Sequence, residues 1–510
     1  MSNASTPRPP AADRRPTDAD QAALDQALAG LPIRRDLLIE HLHRLQDLFG
    51  GLRPGPLAAL ARRHNLPQAE IYEIASFYAH FEILDENAPD PRPLARICDG
   101  PICQMRGADD LIGRLEKTHR LRRVPCVGRC ADAPAWLAVP QPPTPIAASR
   151  LAFPADDPLR VLDELEQSGL RGMGGAGFPT ARKWRLVREQ PKPRTLVVNA
   201  DEGEPGTFKD RHLLIHHLPR VIAGIAIAAR AIEAEAVYVY LRDEYADLIP
   251  ALESAFAALP DGTPPIHLRR GAGAYVCGEE TALLESLEGK RGLPRQRPPY
   301  AAEAGLFGRP TLINNVETLA WVPTILAMGG KEFAAQGRHG AAGLRLYSLS
   351  GRVRNPGIKE APNGITTREL IEEFGGGMEA GHDLTAFLPG GASGGLLPAR
   401  LADVPLTFGT LEPHGAFTGS GAVMVFSKAD DLRQLALGLM GFFAHESCGQ
   451  CTPCRMGCGR ALDLMATPRW NRPALESLAA VMRDASICGL GQAAPNVFLS
   501  LLRHFPELVG

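Results

Sequence analysis

Nine of the ten cysteines in this 510-residue chain fall into two groups, and no other feature constrains the fold as tightly. The first group is Cys98, Cys103, Cys126 and Cys130; the second is Cys448, Cys451, Cys454, Cys458 and Cys488; Cys277 stands apart. Residues 1–20 are rich in Pro, Ala, Asp and Arg and lack the apolar core of a secretory signal, so a cytoplasmic protein is expected. Thiols stay reduced in that compartment, and grouped reduced thiols point to metal rather than to disulfides. The fold must therefore gather each group around a centre.

Charge and hydropathy narrow the partners. Lys plus Arg (55) against Asp plus Glu (57) leaves a formal charge of −2, without the basic surplus of a nucleic-acid-binding chain. The longest apolar stretch, Val221 to Ala229, is bracketed by Arg220 and Arg230 and falls far short of the roughly 20 residues a bilayer helix needs. Neither nucleic acid nor membrane is expected as a partner.

The length implies several domains, and pattern changes suggest where they divide. A flexible tail (1–20) precedes a helical bundle (21–88), in which Asp36 to Phe49 repeats apolar residues at helical spacing before Gly50-Gly51. A compact α/β module (89–145) carries the first cysteine group and ends in Pro140-Gln-Pro-Pro-Thr-Pro145, whose prolines deny regular helix or interior strand. Residues 146–335 alternate helices with buried strands at Thr195–Asn199 and Val237–Leu241, the pattern of an α/β domain. A small α+β module (336–425) and a helical domain with the second cysteine group (426–510) follow. The expected class is multidomain α/β and α+β.

Cys448, Cys451, Cys454 and Cys458 follow C-x2-C-x2-C-x3-C spacing, which crowds thiolates on one loop running into a helix. That crowding favours an iron–sulfur cubane, with structural zinc as the alternative. Cys488, flanked by glycine, can fold back from a later segment, so the expected ligands are Cys448, Cys451, Cys454 and Cys488, with Cys458 spare. The pairs Cys98/Cys103 and Cys126/Cys130, at C-x4-C and C-x3-C, accept zinc or a [2Fe-2S] cluster, or form an empty structural module. Gly172, Gly174 and Gly177 spell G-x-G-x-x-G, but a predicted helix rather than a strand precedes them, so an ordinary dinucleotide turn is disfavoured. Carboxylates and an amide at Asn199–Glu204 follow a predicted buried strand, where α/β folds bind ligands.

The segments GLRGMGGAGFPTARKW, NADEGEPGTFKDR, GAYVCGEETALLESLEG, PTLINNVET and SCGQCTPCRMG occur in this order. Together they resemble the NADH-binding flavoprotein subunit of respiratory complex I and its soluble relatives, over about residues 150–510. The resemblance implies an FMN-binding α/β domain, a β-grasp-like module and a helical bundle holding one [4Fe-4S] cluster. It places FMN on Gly172, Gly174, Lys183, Asn199, Asp201, Tyr275, Gly278, Glu279 and Asn314. It places the nicotinamide nucleotide on Phe178, Glu204, Glu280, Arg297 and Tyr300, with no residue acting as a chemical acid or base. Met173, Arg297 and Tyr300 stand where the family is expected to carry Arg, Lys and Phe. The cysteines before residue 145 and the helices preceding them resemble the thioredoxin-like [2Fe-2S] subunit of the same assembly, here fused.

Fusion and length together resemble the β subunit of soluble NAD-linked molybdenum formate dehydrogenase, with the diaphorase subunit of a bidirectional NAD-reducing hydrogenase as the alternative. The expected partners are then NAD(H), a molybdopterin-containing catalytic subunit and a small [2Fe-2S] subunit. A reading from another class is a zinc-bound scaffold without redox activity.

Overall fold

The computed structural model describes residues 14–84, 92–146, 157–260 and 262–510. Four helices, Asp18–Ala27, Leu38–Phe49, Pro54–His64 and Gln68–Phe77, come first. The expected tail is shorter than 20 residues in its described part, because Thr17 and Asp20 close a capping box that starts a helix at Asp18. Thr17 Oγ1 accepts from the Asp20 amide at 3.2 Å, and Asp20 Oδ2 accepts from the Thr17 amide at 2.9 Å. Residues 1–13 lie outside the described residues. The second helix buries Leu38, Ile39, Leu42 and Leu45 at helical spacing and stops at Gly50, whose φ of +71° suits glycine.

A three-stranded sheet of order β2-β1-β3 follows the helices in the chain. Strand β1 (Leu94–Cys98) runs parallel to β2 (Arg120–Val124) and antiparallel to β3 (Trp136–Val139). A right-sized crossover, the helix Ala108–Leu115, joins the parallel pair. Strand β1 is buried along its whole length and delivers Cys98 at its carboxyl end.

The next domain is built on four parallel strands, β4 (Arg194–Ala200), β5 (Ala234–Leu241), β6 (Ile266–Arg270) and β7 (Thr311–Asn315), in the order β6-β5-β4-β7. Chain order reverses at β4, and the crevice beyond its carboxyl end is the switch point where such sheets bind ligands. The apolar run from Val221 lies in the buried helix Leu218–Ala231, packed against the helix Val316–Met328. The contact is so close that a Cβ at Gly224 would collide with the Leu319 carbonyl oxygen. Among the described residues no single helix is long and apolar enough to cross a membrane.

Strands β8 (Leu344–Gly351), β9 (Gly357–Pro362), β10 (Ala386–Leu388), β11 (Leu397–Pro398) and β12 (Ala422–Phe426) form a mixed sheet of order β11-β10-β12-β8-β9. Only β8 and β12 pair in parallel. Residues 367–374 form one α turn, Thr367–Glu369, continued as a π turn, Leu370–Phe374. Five helices close the chain: Leu432–Glu446, Thr452–Met465, Arg472–Ala485, Gly489–Ala493 and Asn496–His504. Asp431 and Asn471 cap two of them, accepting from the Arg433 and Ala474 amides at 2.9 and 3.1 Å.

Candidate functional site

The glycine-rich segment lies between the helices Pro158–Gln167 and Thr180–Arg188, so a helix does precede it and an ordinary dinucleotide turn is absent there. The Gly172 amide donates to the Phe178 carbonyl at 2.9 Å and the Thr180 amide to the Leu170 carbonyl at 3.0 Å, closing the segment into a loop. Met173 inside it is pinned by its amide to Thr318 Oγ1 at 2.9 Å. A Cβ at Gly174 would stand 3.4 Å from the Asn315 side chain, so this loop lies directly over the end of β7.

At the end of β4, Asn199 Nδ2 donates to the Gly278 carbonyl at 2.9 Å while its Oδ1 accepts from the Asp201 amide at 3.0 Å. Burial pushes the Asp201 carboxyl up to about 8, and its Oδ2 has no hydrogen-bond partner among the described residues. An orphaned buried oxygen at a switch point fits a polar ligand supplied from outside the chain. Lys183 Nζ reaches the same place, donating to the Ile313 carbonyl at 2.7 Å and pairing with Glu280. Asn314 is turned inward, its Oδ1 accepting from Trp184 Nε1 at 2.7 Å.

The remaining expected residues form a rim. Glu279 caps the helix Glu280–Leu287 through the Thr281 and Ala282 amides and pairs with Arg297. Tyr275 donates to Glu204, and Ser393 holds the same carboxylate with its amide at 2.8 Å and its hydroxyl at 2.7 Å. Burial raises Glu204 above the usual carboxylate range, against the pull of these bonds. Phe178 and Tyr300 are 42% and 56% exposed, apolar surface available to a planar ring. Sequence reasoning misses Ser393, Asn315 and Thr318 in this neighbourhood. Asn315 ends the buried strand β7 and Thr318 follows it, which is a signal for them, whereas Ser393 carries none. Asn315 Nδ2 donates to Asp210 at 2.6 Å, beside buried Lys209, which faces Asp210 and Glu317 at 2.7 and 3.3 Å.

Each cysteine group converges. Cys448, Cys451, Cys454 and Cys488 line one small cavity with Val276, Pro294, Ile487 and Leu490, while Cys458 lies outside that lining, fully buried in the helix Thr452–Met465. The neighbouring Cys458 thiol pulls Cys454 below the usual thiol range, and Cys454 in turn drives Cys458 up. Four thiols around an apolar cavity suit a cluster. In the first group all four cysteines are buried, Cys126 and Cys130 sulfurs are 3.7 Å apart, and the Gly128 amide donates to Cys126 Sγ at 3.4 Å. A second cavity joins the three regions: Cys126, Asp201, Arg242, Tyr275, Phe442 and Glu446 all face it.

Comparisons with known proteins match four successive stretches of the chain. Residues 24–141 match the thioredoxin-like [2Fe-2S] ferredoxin family, 165–324 the Nuo51 FMN-binding domain, 346–397 the SLBB domain and 434–510 the NADH-ubiquinone oxidoreductase-F iron-sulfur binding region. The first match spans both the helices and the β1–β3 sheet. The chain is 42% identical over 377 residues to the F-type subunit of NADH-quinone oxidoreductase designated F 2 in Rhizobium meliloti (strain 1021), covering 70% of this chain and 90% of that protein. It is 44% identical over 367 residues to the F-type subunit of the same enzyme in Rickettsia typhi (strain ATCC VR-144 / Wilmington), covering 68% and 87%. The structure of an NAD+-reducing [NiFe]-hydrogenase in its H2-reduced state is similar at a TM-score of 0.82 and 34% identity, over 94% of this chain and 93% of that one. These relatives overturn the expected partner set of a molybdopterin-containing catalytic subunit with a small [2Fe-2S] subunit. A partner docks on surface outside the shared motifs, so fusion and length could not specify it. With FMN-binding, [2Fe-2S]-binding and [4Fe-4S]-binding domains on one polypeptide, the chain is an NAD-linked oxidoreductase and belongs to the family of F-type subunits of NADH-quinone oxidoreductase.

Proposed function

We propose that this chain is the diaphorase subunit of a cytoplasmic NAD+-reducing hydrogenase assembly of the [NiFe] class. The observation that carries this reading is coverage. The quinone-oxidoreductase relatives align with about two thirds of the chain, whereas the hydrogenase structure follows 94% of it, fused N-terminal module included. Neither hydrogen nor formate would react on this chain.

FMN, when bound, supplies the conversion between hydride transfer with a nicotinamide and single-electron exchange with clusters. Gly172 and Gly174 would let the backbone approach it, while Lys183, Asn199, Asp201, Tyr275, Gly278, Glu279 and Asn314 surround it. With its carboxyl pushed up to about 8, Asp201 stays largely protonated at neutral pH and can donate as well as accept. Phe178 and Tyr300 would stack on the nucleotide, and Glu204, Glu280 and Arg297 would orient it from the rim. Their work is positioning, which hydride transfer rewards steeply. Cys448, Cys451, Cys454 and Cys488 would hold the [4Fe-4S] cluster, and Cys98, Cys103, Cys126 and Cys130 the [2Fe-2S] cluster.

The test is to purify the complex from its own cells and identify the large subunit with its metal. A nickel-containing partner and NAD+ reduction by H2 are expected; a partner free of nickel refutes the assignment.

A further inference from the structure

One side chain ties the Cys126–Cys130 loop to the loop that follows β4. Arg242, directly after β5, is 4% exposed. Its guanidinium donates to the Cys126 carbonyl at 2.8 Å, to both Glu244 carboxylate oxygens at 2.6 and 3.0 Å, and to the Glu202 carbonyl. Glu202 is the residue after Asp201, so the same cation touches the backbone of both ligand-bearing loops. Tyr245 completes the support. Its ring lies 5.0 Å from the guanidinium and its hydroxyl donates to Glu202 Oε2 at 2.9 Å.

That ring also decides the residue at position 128. A Cβ on Gly128 would stand 2.8 Å from Tyr245 Cε1 and 2.9 Å from Cζ, at a backbone φ of +68°. Gly128 therefore packs flush against Tyr245, and from there its amide donates to Cys126 Sγ at 3.4 Å. The end of β5 thus braces a loop whose own N–H is aimed at a candidate ligand sulfur.

We propose that Arg242 is a positioning residue for the N-terminal cluster, fixing the Cys126–Cys130 loop against the flavin-side loop and thereby setting that cluster's reduction potential. This rests on the reading of Cys98, Cys103, Cys126 and Cys130 as ligands. Hydrogen bonds to cluster sulfurs and nearby positive charge both favour the reduced, more negative state. Removing the guanidinium would lose the charge, leave Glu244 uncompensated and release the loop that aims the Gly128 amide. All three effects lower the potential.

The experiment is an EPR-monitored redox titration of the full-length holoprotein carrying Arg242→Gln or Arg242→Lys. In Arg242→Gln the [2Fe-2S] one-electron equilibrium should shift at least about tenfold toward the oxidised form, ~59 mV downward. The [4Fe-4S] signal, whose cysteines Arg242 does not touch, serves as the internal reference and should move clearly less. Arg242→Lys, which keeps the charge but not the forked donors, should fall between the two. An intact [2Fe-2S] signal at the unaltered potential, or an equal displacement of both clusters, overturns the proposal. Should Arg242→Gln fail to fold, an Arg242→Lys titration that superimposes on the parent does the same. Absence of any [2Fe-2S] signal in the parent protein would instead refute the ligand reading, and the proposal with it.

Discussion

Asp243→Asn should loosen the N-terminal module from the parallel-sheet domain. Asp243 is fully buried, and its two oxygens take three charge-assisted or polar bonds. Oδ2 accepts from His80 Nδ1 at 2.7 Å and from Arg96 Nη1 at 2.5 Å, and Oδ1 accepts from Arg270 Nε at 2.5 Å. His80 and Arg96 belong to the N-terminal module and Arg270 to β6, so one carboxylate bolts the two together. Burial and the Arg96 charge hold His80 below its usual range, making it a neutral donor here. Removing one partner of a buried ion pair strands the others and costs about 3–5 kcal/mol; Asn keeps the shape and one acceptor, which sets the expectation near ~3 kcal/mol. Every ~1.4 kcal/mol is tenfold, so local opening should rise about a hundredfold. Hydrogen exchange of the β1 amides, Leu94 to Cys98, reads that opening. The sign with pH follows from the carboxyl. Burial pushes it up, but Arg96 and Arg270 outweigh burial and hold it well below the usual range. Its contribution is therefore complete above the unfolded value of about 3.9 and is lost as pH falls through the depressed folded value. The difference between parent and variant should shrink correspondingly in acid. Less than about a tenfold change in β1 exchange at neutral pH would refute the role given to Asp243.

Three further outcomes are expected. Cys488→Ser should abolish the [4Fe-4S] EPR signal while Cys458→Ser preserves it, since only the former faces the shared cavity; the reverse pattern sinks the ligand set. Lys183→Gln removes a cation at the end of β7, and the loss of a charged hydrogen bond, about 1.5–3 kcal/mol, should weaken FMN retention by roughly tenfold or more. Released-flavin fluorescence measures it, and unchanged retention would exclude Lys183 from the site. Gly224→Ala should lower the thermal midpoint: the gain of about 1 kcal/mol in helix propensity is outweighed by overpacking against the Leu319 carbonyl, typically about 1–3 kcal/mol and more against rigid backbone. A raised midpoint would show that the two helices can part at little cost.

Local chemistry is the legible part of this protein. Thr195–Asn199 reads as a strand because its apolar run is buried on both faces, and it lies at the centre of the sheet. A separate α+β module and a helical cysteine-bearing domain are likewise visible in periodicity and spacing, whereas the β-grasp-like and fused thioredoxin-like readings rest on resemblance to a known family. The convergence of Cys488 with Cys448, Cys451 and Cys454 follows from thiolate crowding and a glycine-flanked return segment. Contacts between distant segments are not legible. Ser393 sits in a glycine-rich stretch that looks like any loop until the fold lays it on Glu204, 189 residues away. Arg242 and Asp243 follow a strand like many charged residues, and their contacts with Cys126, His80 and Arg96 exist only once the N-terminal module has docked. The capping box at Thr17 is hidden by the composition of the tail around it.

The covalent join between the first module and the rest changes what dilution can do. Two separate subunits dissociate when their concentration drops below Kd, but modules on one chain meet at an effective concentration set by the join and not by dilution. Asp243 and Arg242 then need only bias an encounter that never has to be found by diffusion. Both thiol centres stay in a fixed one-to-one ratio however sparsely the protein is made, and neither can be left waiting for the other.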